Sequence, residues 1–97
     1  MKAIFISFDQ AHFDKVVEAL SSSLQRGYTA WSQTQGRGSQ TGEPHMGSHA
    51  WPSLNGSILA MCDDHKVEPI LERLRTLDKE RPMLGLRAFV LPVEQAL

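Results

Sequence analysis

The sequence predicts an α+β domain of order β-α-β-loop-β-α-β, and three observations predict it. Two apolar stripes recur at helical spacing. Four short apolar or alternating runs read as strands. A 22-residue stretch, 35–56, separates the two middle strands and carries five of the seven glycines.

The first run, Lys2–Phe8, is rich in Ile and Phe and reads as a buried strand. Asp9 follows as a helix cap, because its carboxylate accepts from orphan backbone N–H groups. Phe13, Val16, Val17, Leu20 and Leu24 form the first stripe, and Gly27 is placed to end that helix in a left-handed cap. Tyr28–Thr34 alternates as a second strand. Asn55-Gly56 reads as a turn that closes the long loop. Ser57–Asp63 is a third, buried strand. Asp63 or Asp64 caps a second helix with apolar positions Val67, Ile70, Leu71, Leu74 and Leu77. Pro69 fits only in its first turn and otherwise bends it. Arg81-Pro82 and Gly85 mark a loop, and Arg87–Val93 is the last strand, with Pro92 at an edge or an end.

This order is the ferredoxin-like βαββαβ arrangement, an antiparallel four-stranded sheet with two helices on one face. The other face has no helix of its own. Its outward candidates are Phe5 or its neighbours, Trp31, Met61 and Phe89, so the sequence predicts a partner there, most simply further copies of the chain.

Ninety-seven residues make one domain, 1–97. A net charge of −1 with scattered Lys and Arg excludes a basic nucleic-acid-binding face. The apolar run at the N-terminus is too short and polar for a signal peptide, and no run is long enough to span a membrane. The single cysteine, Cys62, precludes an internal disulfide and reads as a small core residue. The expected location is cytoplasmic.

Loops as long as 35–56 are usually functional or disordered, and this one holds two histidines and a tryptophan. Gly36, Arg37, Gly38, Gln40 and Gly42 are candidate ligand contacts, their backbone N–H groups cradling an anion. The plainer reading is a turn that needs positive φ. His45 and His49 are candidate metal ligands, with Met46 and Glu43 nearby, and imidazole suits Zn, Cu or Ni. Trp51 either anchors the loop to a partner or packs locally. Asp63, Asp64 and His65 form a polar cluster that capping explains. No catalytic set stands out, so the chain is not expected to be an enzyme.

The segment Gly36-Arg37-Gly38-Ser39-Gln40-Thr41-Gly42 resembles the G-x-G-x-Q-x-G pattern at the base of the T-loop in the PII signalling superfamily, in the same place between the second and third strands. The resemblance covers essentially the whole chain. It implies a homotrimeric regulatory protein that binds a small ligand at subunit clefts and signals through the T-loop, here 35–56, to a partner such as a membrane transporter or metal efflux system. Two departures stand out. The only tyrosine is Tyr28, so the loop lacks the Tyr that some members have uridylylated. The segment 79–85 (KERPMLG) replaces the Gly/Lys-rich loop that grips ATP phosphates. The ligand is left open between a divalent or copper ion and, less favoured, an adenine nucleotide, with a metal-tolerance role through His45 and His49 as the alternative.

Overall fold

The computed structural model describes residues 1–36, 54–82 and 85–97. Strand β1 (Lys2–Asp9) alternates between its two faces and sits near the centre of the sheet. The Asp9 carboxylate then accepts from the Ala11 N–H at 2.9 Å, capping a 3-10 turn at Gln10–His12 rather than the helix itself. Helix α1 (Phe13–Ser22) follows, burying Val16 and Leu20.

That helix ends differently from the sequence expectation. The Gln25 N–H donates to Leu20 O and the Leu24 N–H to Ser21 O, which is the hydrogen-bond pattern of a Schellman motif. The left-handed residue of the motif is Leu24, at φ 61°, and not Gly27. Leu24 therefore leaves the apolar stripe and points outward, 71% exposed.

Strand β2 (Thr29–Thr34) and strand β3 (Asn55–Cys62) pair antiparallel. Asn55-Gly56, expected as a turn, is the start of β3. Asn55 pairs with Asp9 and Gly56 with Phe8 on β1, and Asn55 also pairs with Thr34 on β2. Gly56 serves close approach here, since a Cβ on it would lie 2.7 Å from the Phe8 ring. The connection accordingly spans 35–54.

A 3-10 turn at Asp64–Lys66 leads into helix α2 (Val67–Glu80), which places Pro69 in the first turn, where no intrahelical bond is lost. Neither Asp63 nor Asp64 caps it through a side chain, contrary to expectation. Asp64 instead binds the Met1 ammonium at 2.9 Å. Strand β4 (Arg87–Pro92) pairs with β1 and ends at Pro92.

The sheet order is β2-β3-β1-β4, so β2 and β4 are the edges. One face carries the core: Ile4, Ile6, Phe8 and Ile58 pack fully buried with Val16, Leu20 and Ile70 of the helices. Each such side chain contributes about 1.5–3 kcal/mol by leaving water. The fold is the four-stranded α+β arrangement that the element order predicts. Among the described residues, no helix is long and apolar enough to cross a membrane.

Candidate functional site

Side chains from three strands hold the base of the long connection. Thr34 Oγ1 donates to Asn55 O at 2.9 Å and lies 3.1 Å from Ser57 Oγ. Asn55 Nδ2 donates to Ser7 Oγ at 3.2 Å. Asn55 and Ser57 are buried, which is tolerable because their polar atoms are bonded. Gln10 steps across from the end of β1: its backbone N–H donates to Leu54 O at 2.9 Å and its Nε2 to Ser32 O at 2.8 Å. Both stems of the connection are thus tied to one turn. Gly36 packs so closely on the Asn55 amide that a side chain there would collide with it.

Strand register sorts the helix-free face into rows. Trp31, Ser57, Ser7 and Arg87 lie across the sheet in one row, beside the connection's base. Thr29, Leu59, Phe5 and Phe89 form the next, then Met61, Ala3 and Leu91. The face is polar at the loop end and apolar beyond it. Trp31, Met61, Phe89 and Leu91 are each about half exposed. Arg87 is the cation of the polar row. Its outward direction was available from the sequence, because it stands two residues before the outward Phe89 on one strand.

Two adjoining clefts open where β2 begins and β3 ends. One, of about 210 Å³, is lined by Gly27, Tyr28, Thr29, Leu59 and Met61 and is largely apolar. The other, of about 310 Å³, shares Gly27 and Met61 and extends to Gln25, Cys62 and Lys66. Burial, with Asp63 adding to it, pushes the Cys62 thiol above its ordinary value, and Cys62 packs in the core cluster. At the other end of this region, the hydrogen bond from the Met1 ammonium holds the Asp64 carboxyl below its ordinary range.

Of the ligand residues expected from the sequence, Gly36 stands at the connection's base. Arg37, Gly38, Gln40 and Gly42 lie outside the described residues, as do His45, His49 and Trp51. Among the described residues, no three His, Cys, Asp or Glu side chains gather to hold a metal. His12 is half-buried and His65 is exposed, each in the turn before a helix.

The chain is similar to CPII, a nitrogen regulatory PII-like protein from Thiomonas intermedia K12 whose structure holds ADP, AMP and bicarbonate. Identity is 21%, coverage 92% of this chain and 81% of that one, and the TM-score 0.73. The same protein bound to ADP, AMP and acetate aligns over 99% of this chain and 88% of its own, at 19% identity and TM-score 0.74. A PII-like signalling protein from Thermus thermophilus gives 22% identity, 92% and 82% coverage and a TM-score of 0.66. At such identities the likeness speaks to fold. No curated protein matches the sequence. The family model for nitrogen regulatory protein P-II, however, matches residues 1–97. The chain belongs to the nitrogen regulatory P-II family.

Proposed function

We propose that this chain is a trimeric, non-catalytic sensor that binds an adenine nucleotide at the rim of its open sheet face and signals through the 35–54 connection. The observation that carries the reading is the layout of that face: an apolar cleft where β2 begins and β3 ends, and a polar row that starts at Trp31 and Ser57 and runs across Ser7 to Arg87 on the opposite edge strand. Thr29 to Thr34 is six residues, and its five strand steps span about 17 Å. A purine base fits among Tyr28, Leu59 and Met61, and its phosphates then reach the connection's base. There the backbone N–H groups of Gly36, Arg37, Gly38, Gln40 and Gly42 receive them. Arg87 lies on the edge strand opposite β2, so it supplies the positive charge that a Gly/Lys-rich loop after α2 otherwise provides from the neighbouring subunit that completes the site.

The ligands of CPII support the order of candidates. Its structures hold ADP and AMP, which moves an adenine nucleotide ahead of the metal ion expected from sequence. Its bicarbonate makes a small anion the second ligand to test. A cleft of about 210 Å³ is smaller than sites that enclose a ligand, so a neighbouring subunit completes it. The half-exposed Trp31, Met61, Phe89 and Leu91 give that neighbour a surface to cover. Binding biases the connection only if the nucleotide favours one of its arrangements, and that arrangement meets the partner, a membrane transporter approached from the cytoplasm, with Trp51 as a contact.

Calorimetric titration with ADP and AMP, and separately with Cu and Zn, tests this. Saturable nucleotide binding is expected. A folded trimer that binds metal through His45 and His49 and no nucleotide would reject the reading in favour of the metal-tolerance alternative.

A further inference from the structure

Strand β2 carries an extra residue near its end. Trp31 pairs with Ser57 and Thr34 with Asn55, so three steps on β2 match two on β3. Ser32 and Gln33 together stand opposite Gly56, which is a β-bulge on an edge strand. Residues three apart on a regular strand point to opposite faces. The bulge instead puts Thr34 on the face of Trp31, where its Oγ1 donates to Asn55 O at 2.9 Å and lies 3.1 Å from Ser57 Oγ. It also sets which residue meets the Asn55 amide two positions later. That residue is Gly36, where a Cβ would collide with the amide. A β2 without the bulge would bring Gln35 there, and its side chain does not fit.

Gln10 pins the bulge. Its Nε2 donates to Ser32 O, on the bulge itself, at 2.8 Å. Its backbone N–H donates to Leu54 O at 2.9 Å, one position beyond the Asp9–Asn55 pair of β1 and β3. We infer that Gln10 is a positioning residue for the ligand site: by holding the bulge it sets the register in which β2 presents Thr34 and Gly36. This rests on the nucleotide reading above. Gln10 acts through Ser32 and touches no ligand. A slip of one residue turns a strand's side chains to the other face. The pin therefore chooses between a site with glycine at its base and one blocked by Gln35.

The test is ADP titration of wild type, Gln10→Met and Gln10→Glu, with NMR of the same three proteins. Methionine keeps the length of glutamine but cannot donate. Gln10→Met is expected to bind ADP about fivefold more weakly, and the cross-strand NOE between the Thr34 and Ser57 β-protons is expected to fall with it. In Gln10→Glu a carboxylate faces the Ser32 carbonyl, so ADP binds weakly near neutrality. Protonation restores a donor. The affinity of Gln10→Glu, relative to wild type at the same pH, then returns to within about twofold as the carboxyl takes its proton. Equal ADP affinity in wild type and folded Gln10→Met would overturn the assignment and leave the nucleotide reading standing. An NOE that persists in Gln10→Met while affinity falls would overturn it as well, since Gln10 would then act without the bulge. A wild-type protein that binds no ADP removes both. If Gln10→Met does not fold, the Gln10→Glu profile decides, and a ratio to wild type that stays flat through the carboxyl range overturns the assignment.

Discussion

Leu24 and Gly56 show how single residues set local geometry against their own type. Leu24 holds a left-handed conformation that glycine adopts freely, at about 1–2 kcal/mol of strain. Its side chain is largely exposed and so recovers little by packing. Leu24→Gly is expected to raise stability by about 0.5–1 kcal/mol, part of the relief being offset by the looser unfolded chain. A urea midpoint that rises at constant slope would show it. Gly56 is the opposite case. A Cβ there would sit 2.7 Å from Cε2 of the buried Phe8 and 3.1 Å from Cδ2 of Phe13. Gly56→Ala should lower stability by about 1–3 kcal/mol through overpacking, read from the same denaturation curve. Neither feature was legible in the sequence. Gly27 looked like the better cap and Asn55-Gly56 like a turn, because local residue type cannot report a ring packed from a neighbouring strand.

At the scale of elements, the apolar periods of the helices and the β-rich runs were legible. Ile70, Leu74 and Leu77 are buried as their spacing requires, and the outward set Phe5, Trp31, Met61 and Phe89 shares one face. Strand register was not legible, and it alone brings Ser7, Ser57, Thr34 and Asn55 together under the connection. The capping role given to Asp64 failed for a similar reason: its partner is the Met1 ammonium at the far end of the chain, which holds the start of β1 against the turn before α2. The depressed Asp64 carboxyl predicts a pH dependence. A group whose folded pKa lies below its unfolded value stabilises the fold above the ordinary carboxylate range and loses that contribution as pH falls through the folded value. Wild type should therefore exceed Asp64→Asn in thermal midpoint near neutrality. The gap should close on acidification, and a constant gap down to the acid limit would contradict the tether.

For the whole molecule, the proposed function gives the helix-free face two duties: an apolar half that joins subunits and a polar end that meets the ligand. Phe89, 58% exposed in the single chain, is central to the first. Phe89→Asp should dissociate the trimer to monomers with near-unchanged circular dichroism, as sedimentation would show, since it places a charge in an apolar contact without touching the core. Of the ligand residues named from sequence, Gly36 stands at the base of the connection and the others lie outside the described residues. The outward direction of Arg87 was legible from its spacing to Phe89, but its place in the polar row was not, because that depends on register.

The central claim is that an adenine nucleotide lies along β2–β3 with its phosphates at the polar row. ADP titration of wild type beside Arg87→Ala tests it most directly. The account predicts one ADP per subunit for wild type and at least about tenfold weaker binding for the variant, since a charge-assisted bond contributes about 1.5–3 kcal/mol. Equal affinity in two folded trimers, or no saturation in wild type, would contradict it.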